Sequence, residues 1–164
     1  MNAWGSNLSK KICGDLSDSY IPPNLKPIKK VQNKIIRAIF RKSKFDKRTQ
    51  TYTDMSVLYK ELEVLKLYDL YCYNLCLLCF DFHHNPDFPD AMKSLFTLKS
   101  EISERSTRQH HLNLYPKLVN LNSTMKKTSY AGSVAWNALP DNLKDIDSKR
   151  TFKSNLKSYY TDKY

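Results

Sequence analysis

Between Leu67 and Phe82 only Asp69, Asn74 and Asp81 are polar, and this segment restricts the possible folds more than any other in the 164-residue chain. A helix with apolar groups nearly all round has to be surrounded by other elements, so a run from about Tyr68 to His84 is expected at the centre of a core. It is shorter than the ~20 apolar residues that a bilayer span requires and carries two acids, which argues against a membrane segment. A chain of this length fits one domain with loose ends and is large enough to bury such a core. Its 41% hydrophobic and 12% aromatic content belongs to a globular chain rather than a disordered one.

The neighbouring segments are read by their periodicity. Residues 1–25 are mixed and turn-rich, closing with Ile21-Pro22-Pro23-Asn24, and read as a tether. From Pro27 to about Ser43, Ile28, Val31, Ile35 and Ile39 recur at spacings of three and four, predicting an amphipathic helix that packs by this face. Thr53 or Asp54 caps a short helix through Leu62. After the turn Asn85-Pro86-Asp87-Phe88-Pro89, a short helix spans Asp90 to Phe96. His110-His111-Leu112-Asn113-Leu114-Tyr115 alternates as a half-buried strand does, and Pro116 confines it to an edge. Tyr130 to Leu139 reads as helix until Pro140, and Ser148 caps a last helix in which Phe152, Leu156 and Tyr159 share a face. The expected fold is mainly α: a compact helical domain with a central apolar helix and at most a small edge strand or hairpin. Residues 1–48 form the tether and basic helix, and residues 49–164 a helical C-terminal region.

Charge points to the class of partner. Lys and Arg number 27 against 16 Asp and Glu, a net +11, which favours a polyanion. Ten of the cations and only one acid, Asp46, lie between Lys26 and Arg48, a local charge of +9. At about 100° per residue, Lys30, Lys34, Arg37, Arg41 and Lys44 fall in one stripe opposite the four aliphatic residues. Like charges four residues apart destabilise a helix by a few tenths of a kcal/mol. No acids are interleaved to relieve them, so phosphate contact accounts for the run better than a solvated face does. Lying on a membrane or binding calmodulin suits it less, because the apolar face has no Trp and continues into a foldable core. Arg41 to Arg48 also fits a nuclear-import address.

Metal and acid–base chemistry have weaker signals. Cys72, Cys76, Cys79 and His83 are all ligand types, but spacings of 4, 3 and 4 string them along one helix, the ends roughly 16 Å apart. Two neighbours would need His110 or His111 to complete a site, and buried reduced thiols are the expected role. Asp81, His83, His84, Asp87 and Asp90 form a second cluster, expected to cap and solubilise turns. Pro140-Asp141 followed by Asp147-Ser148-Lys149 echoes a metal-dependent nuclease pattern, yet the acids are six residues apart in loop and helix rather than on adjacent strands. No nucleophile motif or glycine-rich phosphate loop is present. No metal or other cofactor is expected. Clustered cysteines and an N-terminus without a signal-peptide layout predict an intracellular protein, nuclear or cytoplasmic.

Several phrases, in order, resemble the region that follows the polymerase core in reverse transcriptases of non-LTR (LINE-like, jockey/CR1-type) retrotransposons. They are Trp4-Gly5; Val31-Gln32-Asn33-Lys34-Ile35-Ile36-Arg37-Ala38-Ile39; Leu62 through Leu65 and Leu67 to Asp69-Leu70; and Thr107-Arg108. Ala135-Trp136-Asn137-Ala138-Leu139-Pro140 and Phe152-Lys153 with Leu156-Lys157 and Tyr159 complete them. The Trp-Asn-x-Leu-Pro phrase followed by a Phe-Lys helix is the most specific part. The resemblance implies that Trp4 to Arg48 is the end of a thumb and the remainder the element's C-terminal region. The palm's paired aspartates have no counterpart, since the chain has no Asp-Asp pair, so polymerisation is not expected of this chain alone. Some lineages end in a Cys-x3-Cys-x7-His-x4-Cys motif; Cys72, Cys76 and His84 match three positions, and Pro89 stands at the fourth.

The expectation is a non-catalytic piece of a reverse transcriptase that binds template RNA, or RNA–DNA or DNA duplex, through phosphates. Lys30, Lys34, Arg37, Arg41 and Lys44 are the binding residues, an upstream polymerase core is a further partner, and no membrane is involved. Trp136 is expected to anchor the core rather than stack on a base. The alternatives are a protein-interaction or structural helical module with a solvated basic face and, less favoured, a metal-dependent nuclease.

Overall fold

The computed structural model describes residues 25–47, 50–102, 112–116 and 127–164. The expected tether, Arg48 and His110-His111 lie outside the described residues. The described part is mainly helical, with one small antiparallel sheet. Helices α1 (Lys26–Ile39), α2 (Met55–Glu61), α3 (Leu67–His84), α4 (Asp90–Lys93), α5 (Thr128–Asn137), α6 (Asp141–Lys144) and α7 (Lys149–Thr161) follow in order. Strands β1 (Phe45–Asp46) and β2 (Thr51–Tyr52) form a two-stranded hairpin between α1 and α2, pairing Phe45 with Tyr52 and Asp46 with Thr51. No described helix is long and apolar enough to cross a membrane.

The apolar run becomes α3 and lies at the centre of the core. It buries Cys72, Leu75, Cys76, Cys79 and Phe80, and α5 and α7 pack against it. In α5, every residue from Tyr130 to Trp136 is buried. Gly132 permits this approach: a Cβ there would stand 3.0 Å from a Phe96 ring carbon and 3.3 Å from Cys79 Sγ. In α7 the side chains of Phe152 and Leu156 turn inward as expected, joined by Tyr160 where the sequence pattern pointed to Tyr159. Ser148 stands at the helix start, but its side chain makes no capping hydrogen bond. Asp54 does cap α2, accepting from the Ser56 amide at 2.8 Å.

The expected strand at residues 110–115 reduces, in its described part, to one bridge between Leu98 and Leu114. One edge bonds to residues 97–99, the Lys99 amide donating to the Asn113 carbonyl at 2.9 Å and the Tyr115 amide to the Thr97 carbonyl at 2.8 Å, and the opposite edge meets a side chain. Asn137 Nδ2 donates to the Leu114 carbonyl at 2.7 Å, and its Oδ1 accepts from the Leu114 amide at 2.9 Å, so a side chain stands where a further strand would pair. Beside it Trp136, fully buried, donates from Nε1 to the Leu112 carbonyl at 2.7 Å. The buried Lys144 ammonium donates to Asn113 Oδ1 at 3.1 Å and the Asn137 carbonyl at 3.3 Å. The Trp-Asn-x-Leu-Pro phrase is therefore a clamp on residues 112–114, with Trp136 a core anchor.

A second, smaller apolar cluster joins α1 to α2 through Ile36, Leu58 and Tyr59, edged by Phe40, Met55, Leu62 and Tyr164. Tyr164 also ties this cluster to the main body. Its hydroxyl accepts from the Lys66 amide and donates to Asp69 Oδ2, both at 2.8 Å, while the Lys66 ammonium lies 4.1 Å from its ring centroid. Cation–π contact of this kind contributes about 0.5–1 kcal/mol at a partly exposed site.

Two outcomes are expected. Gly132→Val crowds Phe96 and Cys79 and lowers stability by about 1–3 kcal/mol in urea unfolding, because a Cβ alone would stand 3.0 Å from the buried Phe96 ring and the valine methyls extend further. The second concerns alkaline pH. Burial pushes the Tyr59 phenol up to about 12, outweighing the opposing pull of Arg37. Tyr164 is raised as well, mainly by burial. Both stay protonated in the folded chain where the unfolded chain has released its protons, so their contribution to stability is complete below about pH 10 and falls as pH rises through 12. Tyr59→Phe should flatten that decline in thermal melts between pH 9 and 12.

Candidate nucleic-acid interface

Helix α1 starts at Lys26 with Pro27 in its first turn, where the missing amide hydrogen costs nothing. It ends sooner than the sequence pattern predicts, at Ile39 rather than near Ser43. The terminating device is a Schellman motif: the Lys42 amide donates to the Arg37 carbonyl at 2.8 Å and the Arg41 amide to the Ala38 carbonyl at 3.1 Å. Arg41 takes the left-handed conformation that glycine would hold more cheaply, with φ at 49°. Consequently Lys30, Lys34 and Arg37 sit on the helix, whereas Arg41 lies in the turn that ends it and Lys44 in the entry to β1.

The larger correction concerns which face of α1 packs. Ile28, Val31, Ile35 and Ile39 do not meet the core; they are 51%, 56%, 55% and 60% exposed. The buried residue is Ile36, and around it lie the half-buried Lys29, Gln32, Asn33, Arg37 and Phe40. This seat is about a quarter turn from the aliphatic stripe, at about 100° per residue. Apolar packing of Ile36 on Leu58 and Tyr59 and two hydrogen bonds hold it. Gln32 Nε2 donates to the Leu65 carbonyl at 2.9 Å, and the Tyr59 hydroxyl donates to Asn33 Oδ1 at 2.7 Å. Arg37 Nη1 approaches Met55 Sδ at 3.7 Å.

Because the seat lies between the two stripes, the helix shows both to solvent. Lys30, Lys34, Arg41 and Lys44 are exposed and Arg37 is half-buried. None of the five is paired with a carboxylate among the described residues. Some cations elsewhere are paired: Lys149 meets Asp81 at 2.7 Å, Lys93 meets Asp90 at 2.7 Å and Lys157 meets Glu63 at 3.7 Å. The α1 region thus keeps an unneutralised positive field on an exposed surface, which attracts polyanions over about a Debye length.

The residues considered for metal or acid–base chemistry have other partners. Cys72, Cys76 and Cys79 are buried and form no disulfide among the described residues. Cys76 Sγ lies 3.7 Å from the Tyr160 hydroxyl, and burial pushes its thiol up to about 12, with Cys79 raised for the same cause. His83 stacks on Trp136 with centroids 5.0 Å apart, and His84 on Phe80 at 4.3 Å. Asp81 carries Lys149, Asp90 carries Lys93, and Asn85 accepts from the Asp87 amide. Asp141 lies 3.9 Å from the Lys144 ammonium, and Asp147 is almost fully exposed, 3.9 Å from His84 Nδ1. No group of three or more His, Cys, Asp or Glu among the described residues is arranged to hold a metal ion.

Sequence reasoning missed the residues that aim the interface: Gln32, Asn33, Tyr59 and Leu65. Their only signal was two amides inside a strongly amphipathic helix, which periodicity alone assigns to solvent. Trp4-Gly5 and Thr107-Arg108 lie outside the described residues. No protein-family model matches this sequence, and neither a curated protein nor a solved structure shows significant similarity to it.

Proposed function

We propose that this chain binds nucleic acid without reading its sequence, gripping phosphates with Lys30, Lys34, Arg37, Arg41 and Lys44. We place it as the non-catalytic C-terminal piece of the non-LTR retrotransposon reverse transcriptase that its phrases resemble. The observation that carries the binding role is the absence of carboxylate partners for these five cations among the described residues, on an exposed helix and the turn that ends it. Three positions on consecutive turns of a helix, followed by two in the turn and hairpin entry, suit the regular spacing of phosphates along a duplex. Template RNA or an RNA–DNA duplex is the proposed ligand, and the polymerase core of a longer protein the proposed neighbour. The buried thiols fit a reducing compartment, nuclear or cytoplasmic.

Salt titration tests this directly. Duplex affinity should fall with a log–log slope of about −4 to −5, from −0.9 per phosphate contact, and each Lys→Gln or Arg→Gln change among the five should reduce the slope by about 1. A flat salt response, or no binding at low salt, would refute the role. Arg41→Gly separates charge from fold: it should weaken duplex binding while raising stability by about 1 kcal/mol, because glycine fits the left-handed position.

A further inference from the structure

The four aliphatic residues on α1 have no covering element among the described residues, and phosphates do not cover aliphatic groups. Ile28, Val31, Ile35 and Ala38 repeat at spacings of three, four and three, with Ile39 beside them, and all are exposed. This is the seam that one helix offers another in knobs-into-holes packing, and β-branched side chains hold such knobs in few rotamers. Lys34 borders the seam on one side, with Lys30 behind it and Arg41 in the turn just past the helix end, while the uncharged Gln32 lies on the other.

We propose that this seam is the docking face for an amphipathic, acidic helix of another protein, whose apolar residues fill the seam and whose carboxylates face Lys34 and Arg41. Charge complementarity selects this occupant. A second copy would bring a second +9 segment against the first, and like charges across an interface oppose association. A lipid surface fits less well, because the stripe is narrow, holds no Trp, Phe or Leu, and adjoins the sector fixed to α2. The apolar contacts of this proposal do not involve nucleic acid, but Lys34 and Arg41 serve both readings, so a duplex and the acidic helix compete for these two cations.

The test uses the full chain and a synthetic three-heptad helix with Leu at its core positions and Glu at its flanks, with a Lys-flanked version as control. The acidic peptide should bind. Val31→Gln with Ile35→Gln should weaken it at least tenfold, leaving the circular dichroism spectrum and duplex affinity unchanged, since both positions are exposed and neutral before and after. Lys34→Glu with Arg41→Glu should reverse the preference toward the Lys-flanked peptide. Equal binding of the two peptides, or insensitivity to the Gln variants, overturns the proposal. So does tighter binding to phosphatidylserine vesicles with the same Gln sensitivity, or self-association in sedimentation that the Gln variants abolish. Peptide binding that emerges only with Leu8→Asp and Ile12→Asp would show that residues 1–24 occupy the seam, and also overturns it.

Discussion

Trp136 is held on every side, and the positions of the other elements follow from how it is held. Its ring lies against His83 of α3 and Phe152 of α7, and its indole nitrogen donates to the Leu112 carbonyl. Burying a side chain of this size contributes several kcal/mol, but only where the polar nitrogen finds an acceptor, and residues 112–114 supply one. Asn137 then satisfies both main-chain groups of Leu114, which would otherwise be buried without partners. With Gly132 allowing α5 to approach α3 closely, one helix fixes the central helix, the last helix and a returning loop together.

The rigidity of that core reaches the basic helix through a short polar relay. Helix α3 begins after Leu65 and Lys66; the Leu65 carbonyl receives Gln32, and the Lys66 amide donates to Tyr164. Each such hydrogen bond contributes about 1 kcal/mol net, less than burial of an isoleucine. With Ile36 packed on Leu58 and Tyr59, the bonds to Gln32 and Asn33 mark the face of α1 that meets α2. The helix is seated by Ile36 and its amides together, and two chemically different surfaces remain exposed on one element.

How much was legible in the sequence differs from element to element. The central helix was legible because a run with three polar residues in sixteen has only one place to go, and the observed Leu67–His84 matches it closely. The Trp-Asn-x-Leu-Pro phrase was legible as an anchor, since a large ring with one polar atom is stable inside only with an acceptor. The end of α1 was not, because Arg41 adopts a conformation usually left to glycine, and no residue type announced it. The strand at residues 110–115 was legible only in part: in its described residues Leu114 bridges Leu98, but alternation signals extended backbone, not that the opposite edge is taken by an asparagine.

The sequence by itself determined the mainly helical class, the central helix, the concentration of positive charge before residue 49 and the identity of the side chains that carry it. These depend on composition and on short-range periodicity, which act within one or two turns of chain. Only the tertiary structure decided which way α1 faces. That choice goes with the packing of Ile36 on Leu58 and Tyr59 and with hydrogen bonds to Leu65 and Tyr59, 33 and 26 residues from their partners in the chain. Contacts at that separation leave no mark in local periodicity, so an amphipathic pattern fixes that two faces exist but not which of them meets the protein.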